Sequence, residues 1–184
     1  MEAFLTSSIT VALAEIGDKT QLLSLLLAAR FKNKLAIVAG ILVATLLNHF
    51  ASAWFGSWLS QFLSGGLGKT LLSVSFILMA IWLLFPDKED EEAVKYHQYG
   101  AFIVTTVLFF LAEIGDKTQI ATVALAANYE NVIFVTVGTT IGMLVANVPV
   151  IYAGEAMMKK IPFVYTRVIA GMAFFIVGIF VYFS

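Results

Sequence analysis

The chain has 184 residues, of which 60% are hydrophobic and 12% are charged, with a net charge of −1 and a mean hydropathy of +0.93. Too little polar surface is available to cover a soluble globule, so the composition predicts an all-α integral membrane protein. No basic patch exists outside the short loops, which excludes a nucleic-acid partner. The absence of cysteine excludes disulfides, thiolate metal sites and cysteine nucleophiles.

Six segments along the chain are long and apolar enough to cross a bilayer. A spanning helix needs about 20 predominantly apolar residues, and the sequence divides into six such lengths with little left over. The predicted transmembrane helices cover residues 3–29, 35–59, 67–85, 100–127, 132–152 and 163–183.

An octapeptide, Ala-Glu-Ile-Gly-Asp-Lys-Thr-Gln, begins at Ala14 and recurs unchanged at Ala112, 98 residues later. The same offset pairs Asn33 with Asn131, and the chain is therefore predicted to be a duplication. The two three-helix repeats cover residues 1–85 and 99–184, joined by an acidic linker over 86–98. Since three spans reverse the side of entry, the repeats are predicted to have inverted topology.

Basic residues in the loops predict the orientation, because cytoplasmic loops carry the excess of lysine and arginine. Only Lys69 lies on the face opposite the others. The linker is therefore predicted to be cytoplasmic and both termini to lie outside. The basic residues on the predicted cytoplasmic face are Arg30, Lys32, Lys34, Lys88, Lys95, Lys159, Lys160 and Arg167.

Each octapeptide places charged side chains within an apolar segment, where an ionisable residue costs a few kcal/mol. On a continuous helix Glu15, Asp18 and Lys19 would share one face. Gly17 between them would let another backbone approach closely, as small residues do where membrane helices cross. The second copy repeats this arrangement with Glu113, Asp116, Lys117 and Gly115.

If the two motifs meet, four carboxylates surround one volume and form a site for a hard cation. Calcium, magnesium and manganese all accept carboxylate oxygens, whereas zinc and copper prefer imidazole or thiolate. With both lysines protonated the paired motifs carry a net charge of about −2, which one divalent cation or two protons would cancel. Metal and protons are therefore expected to compete, which is the basis of antiport. The predicted metal ligands are Glu15, Asp18, Glu113 and Asp116.

Other polar residues near the motifs are predicted to support this site. Lys19 and Lys117 are expected to form salt bridges with the carboxylates when the cation is absent. The hydroxyl and amide side chains either complete coordination, bond backbone groups where a helix is distorted, or hydrogen-bond between helices. These side chains are Thr20, Thr118, Gln21, Gln119, Asn48 and Asn147. For His49, a packed and hydrogen-bonded histidine is favoured over a proton relay.

Three functions are alternatives to cation/proton antiport. The motifs could be a structural ion-pair network, but the acidic excess in both copies exceeds what pairing requires. A divalent cation channel could use the same acidic groups for selectivity, and coupled proton movement would distinguish the exchanger from it. An enzyme is not expected, because no nucleophile and base accompany the carboxylates, and no cofactor is implied.

Two copies of Glu-x-Gly-Asp-Lys-Thr, at Glu15 and Glu113, resemble the motif of uncharacterised protein family 0016, the GDT1-like cation/proton exchangers. This resemblance covers nearly the whole chain. It implies that the acidic residues of the motifs bind a divalent cation, which is exchanged for protons. Mn²⁺ is the first candidate for this transported ion and Ca²⁺ the second. The short length is similar to that of bacterial members, which implies a manganese exporter in the inner membrane.

Overall fold

The computed structural model describes residues 1–63, 66–85, 99–154 and 163–183, and within these residues the regular structure is helical. The predicted all-α fold is therefore confirmed. The predicted linker, including Lys88 and Lys95, lies outside the described residues, as do Lys159 and Lys160. The helices are α1 (Glu2–Glu15), α2 (Lys19–Arg30), α3 (Lys34–Ser60), α4 (Gly66–Trp82), α5 (Gly100–Glu113), α6 (Lys117–Tyr129), α7 (Val132–Ala153) and α8 (Phe163–Phe183).

Three of the described helices are long and apolar enough to cross a membrane: α3, α7 and, over Val164–Phe183, α8. Helices α4 and α5 are apolar but shorter. The predictions of single continuous helices over 3–29 and 100–127 are wrong, because each of these segments is broken within its octapeptide into two shorter helices.

The long helix in each half begins with the same capping device. The side-chain oxygen of Asn33 accepts a hydrogen bond from the backbone N–H of Ala36 at 3.1 Å, and that of Asn131 accepts one from Phe134 at 3.0 Å. An asparagine cap satisfies a backbone donor that the first helical turn leaves unpaired. These caps determine where α3 and α7 start after the short turns that precede them.

Helix α1 of the first half packs along α7 of the second half. The hydroxyl of Ser8 donates to the carbonyl of Gly138 at 3.0 Å. A methyl group added at Gly138 would lie 2.7 Å from the carbonyl oxygen of Phe4, and one at Gly142 would lie 2.6 Å from that of Ser8. Residue numbers rise together along the two helices, so α1 and α7 run in the same direction with their backbones close.

The reciprocal pair, α5 and α3, packs in the same manner. An added methyl at Gly40 of α3 would lie 2.9 Å from the carbonyl oxygen of Phe102, and the amide of Asn48 donates to the carbonyl of Phe110 at 3.0 Å. These helices also run in the same direction. The shorter helices also pack against helices of the other half: α2 contacts α7, and α6 contacts α3.

Helices α4 and α8 form a third pair at which the two halves meet. Gly171 lies against the backbone of Ala80, and Gly178 lies against that of Ser73, so these helices run in opposite directions. Large apolar side chains such as Trp54 and Phe50 are exposed, while several polar side chains, such as Ser24, Thr45 and Glu15, are buried. This distribution is typical of helices whose outer surfaces face lipid.

We expect Gly142→Ala to lower stability by about 1–3 kcal/mol, because its methyl group would collide with the backbone of α1 and force the pair apart. Thermal unfolding in detergent would measure the change. Gly66→Ala is the matched control, since no described atom lies within 4 Å of its added methyl group. Equal unfolding temperatures for the two variants would contradict this account of α1–α7 packing.

Candidate metal site

Each octapeptide breaks its helix at the glycine. Gly17 has a φ of 86° and Gly115 a φ of 74°, a backbone conformation that side chains with a Cβ disfavour and that cannot continue a right-handed helix. Glu15 is consequently the last residue of α1, and Asp18 immediately precedes the first residue of α2. The prediction that Glu15, Asp18 and Lys19 share a face of one helix is wrong for this reason.

Gly115 does not have the predicted role of admitting a neighbouring backbone. An added methyl at Gly115 would meet no described atom within 4 Å. Instead, the glutamine that ends each octapeptide satisfies the backbone at the break. Gln21 accepts a hydrogen bond from the N–H of Gly17 at 2.8 Å, and Gln119 accepts one from Gly115 at 2.7 Å. The glutamines therefore bond backbone groups at a helix distortion, which was one of the predicted alternatives.

The breaks place carboxylates at the ends of the half-helices. Asp18 and Asp116 lie at the N-termini of α2 and α6, where the helix dipole favours a negative charge. The Asp116 carboxylate also accepts a hydrogen bond from the hydroxyl of Thr118 at 3.2 Å. Glu15 and Glu113 lie at the C-termini of α1 and α5, where the dipole opposes a negative charge. A cation near the glutamates would offset this unfavourable field.

Three carboxylates from the two motifs converge. One carboxylate oxygen each from Glu15, Asp18 and Asp116 lies within 4.8 Å of the other two. We call these residues the acidic triad. Glu15 is fully buried, Asp116 is 3% exposed and Asp18 is 9% exposed. Carboxylate oxygens at this spacing, shielded from solvent, are the donors that hard divalent cations prefer.

Neighbouring side chains position the triad and partly neutralise it. The hydroxyl of Thr20 donates to Oε2 of Glu15, while Oε1 of Glu15 has no hydrogen-bond partner among the described residues. The ammonium of Lys19 lies 3.0 Å from Oδ1 of Asp116, so this salt bridge joins the first motif to the second. Three carboxylates and one ammonium leave an excess of two negative charges, which suits one divalent cation.

Glu113, the fourth predicted ligand, lies outside the acidic triad. Its Oε2 is 3.4 Å from Nε2 of His49, and both side chains are fully buried. Glu113 is still close enough to Glu15 for the two charges to interact. Neither nitrogen of His49 has a hydrogen-bond partner within the described chain, so the prediction of a packed, hydrogen-bonded histidine is wrong in its second part.

The remaining predicted residues contact the backbone or other helices. The ammonium of Lys117 donates to the carbonyl of Phe85, just beyond α4, at 3.0 Å. Asn48 bonds the carbonyl of Phe110 near the end of α5, and Asn147 accepts a hydrogen bond from Ser24 of α2 at 2.7 Å. Both asparagines therefore join helices, which was the predicted alternative to coordination.

The sequence is similar to one protein family and to several named proteins. The family described as "Divalent cation/proton antiporter GDT1" matches residues 3–91 and 101–184. A Vibrio cholerae protein named "Putative manganese exporter" is 51% identical over 88% of this chain and 81% of its own length. The rice "GDT1-like protein 4" is 27% identical, over 94% of this chain and 70% of its own. No solved structure matches.

The break in the second motif provides a test of the glycine's role. We expect Gly115→Ala to lower stability by about 1–2 kcal/mol through backbone strain alone, since its methyl group has open space. Gly115→Asn should cost less, because asparagine tolerates this conformation better. Thermal unfolding of both variants in detergent would rank them, and an alanine variant as stable as the parent would contradict the strain argument.

Proposed function

Because the chain belongs to the GDT1 family of divalent cation/proton antiporters, we propose that it exports Mn²⁺ from the cytoplasm in exchange for protons. One observation carries this proposal: both copies of the motif contribute carboxylates to a single buried group. The name of the Vibrio cholerae relative supports Mn²⁺ as the substrate. Ca²⁺ is the second candidate, because oxygen ligands alone also suit it.

The acidic triad is the proposed substrate site. Glu15, Asp18 and Asp116 would bind the cation through carboxylate oxygens, and Thr20 would orient Glu15 through its hydrogen bond. Lys19 is partly exposed and bonded to Asp116, so it can act as an internal counter-ion that gives up this contact when the metal enters. The lysine thereby limits the charge repulsion of the site between transport cycles.

Proton exchange follows from the same charge balance. Burial disfavours an isolated carboxylate anion, and the excess of two negative charges can be neutralised by one Mn²⁺ or by two protons. Protons that bind from the outside would displace the metal, and the metal that binds from the cytoplasm would displace the protons. The site need not carry an uncompensated charge across the membrane in either direction.

The reciprocal helix packing supports an inverted-repeat architecture. Helix α1 runs alongside α7 in the same direction, as α5 does alongside α3, whereas α4 and α8 run in opposite directions. A pseudo-twofold axis that relates residues 1–85 to residues 99–184 accounts for all three pairs. In this arrangement the first and fourth of six spans are the broken helices α1–α2 and α5–α6, which meet at the acidic triad.

Broken helices at a central site are characteristic of transporters with inverted repeats. We propose that one repeat rocks against the other and opens the triad to each side in turn. The protein is a multi-pass membrane protein, and we place it in a bacterial inner membrane with both termini outside and the 86–98 linker in the cytoplasm, as the loop lysines and arginines indicate.

Removal of a triad carboxylate tests the site. Changes to outer-shell groups alone cost about 10–100-fold in metal affinity or activity, so Glu15→Gln, Asp18→Asn and Asp116→Asn should each reduce Mn²⁺ transport at least about 100-fold. Uptake into proteoliposomes would measure this loss. Glu2→Gln is the matched control, because Glu2 is an exposed carboxylate outside the triad. Triad variants that transport like the control would refute the site.

Coupling to protons distinguishes the exchanger from a channel. We expect Mn²⁺ uptake into the vesicles to move protons out and so alkalinise the lumen. The uptake should saturate with Mn²⁺ concentration and stop when an opposing proton gradient balances it. A pH-sensitive dye trapped in the vesicles would follow the coupled flux. Mn²⁺ flux that does not saturate and leaves lumenal pH unchanged would favour a channel instead.

A further inference from the structure

Four buried polar atoms next to the acidic triad are unsatisfied in the described structure. They are the two ring nitrogens of His49, in the middle of α3, and the two carboxylate oxygens of Glu113, at the end of α5, none of which has a hydrogen-bond partner among the described residues. Both side chains are fully buried. Buried polar groups are nearly always paired, so four in one place need a physical reason.

The geometry of this pair suits a shared ion better than a hydrogen bond. Nε2 of His49 and Oε2 of Glu113 are 3.4 Å apart, beyond the usual 2.7–3.2 Å of a nitrogen–oxygen hydrogen bond. Two ligand atoms at about 2.1 Å from one ion are separated by roughly 3.0–3.4 Å at octahedral or tetrahedral angles. The pair therefore has the spacing of two ligands of one small divalent cation.

The pair also lies close to the acidic triad. Glu113 interacts electrostatically with Glu15 of the acidic triad, and it is the symmetry counterpart of Glu15 in the second motif. At the 98-residue offset His49 corresponds to Asn147, whose side chain is already bonded to Ser24 and to the backbone of Met143. Only one of the two halves thus presents an unpaired nitrogen at this position.

We propose that His49 and Glu113 form a second cation position beside the acidic triad and that the imidazole of His49 selects the transported metal. This inference rests on the proposed transport of Mn²⁺ through the triad. Carboxylates alone accept Ca²⁺, Mg²⁺ and Mn²⁺, whereas an imidazole nitrogen binds first-row transition metals and is a poor ligand for Ca²⁺ and Mg²⁺. His49 accordingly gives Mn²⁺, as a transition metal, an advantage over Ca²⁺ and Mg²⁺ that an all-oxygen site lacks.

Pulsed electron paramagnetic resonance of Mn²⁺ bound to the purified full-length chain tests the nitrogen ligand directly. The chain has two histidines, His49 and His97, and His97 lies outside the described residues. We expect ¹⁴N modulation from a coordinated imidazole in the parent and in His97→Asn, and its loss in His49→Asn. His49→Gln gives a second variant, and thermal unfolding in detergent reports whether each variant is folded.

Two spectroscopic results would overturn the proposal. One is a parent spectrum without imidazole modulation, which would leave His49 and Glu113 as a structural ion pair. The other is modulation that persists in His49→Asn or disappears in His97→Asn. This measurement detects bound metal and does not depend on transport, so it shows whether His49 is a ligand even in a protein that moves no ion. The absence of any divalent cation transport by the parent would instead refute the proposed function.

Transport selectivity provides the second measurement. In proteoliposomes, His49→Asn should lower the ratio of Mn²⁺ to Ca²⁺ transport at limiting metal by about tenfold, a loss typical for altered metal surroundings. The triad variant Glu15→Gln should instead abolish transport of both ions. An unchanged Mn²⁺ to Ca²⁺ ratio in folded His49→Asn and His49→Gln would show that His49 does not set selectivity.

Discussion

The cost of charge in an apolar interior governs this structure. Glu15 and Asp116 are buried among helices whose outer surfaces are apolar, and such groups persist only where other charges or ligands compensate them. The Lys19–Asp116 salt bridge supplies part of the compensation and joins the two motifs. In the proposed antiport mechanism the remaining negative excess connects fold and function, because a bound divalent ion or two protons would neutralise it.

The backbone conformation of the two motifs brings their charged side chains together. The positive φ values of Gly17 and Gly115 end one half-helix and start another, which directs an aspartate and a glutamate from opposite helix ends toward a common volume. Gln21 and Gln119 satisfy the N–H groups that the breaks release. An unbroken helix would arrange the same residues along one face and could not surround an ion from two sides.

The sequence predicted the helical fold and the three carboxylates that converge in the acidic triad, because composition and an exactly repeated motif are strong signals. It did not predict the breaks, since glycine is common in membrane helices and its φ is not encoded by residue type alone. Identical motifs also implied equivalent roles for Glu15 and Glu113. Their surroundings differ, with Thr20 beside one and His49 beside the other, and helix packing rather than the motif determines that difference.

Helix α1 packs against α7, and α5 packs against α3, so each of these helices has its main partner in the other half of the chain. In the proposed inverted-repeat architecture the first half enters the bilayer before the second, so the face of α1 that later covers Gly138 and Gly142 contacts lipid until α7 follows. Because helices in lipid associate through close packing and interhelical hydrogen bonds, α1 gains the partner that buries this face only after α7 has been synthesised. In that architecture, the packing of α1 is completed only after most of the chain has been synthesised.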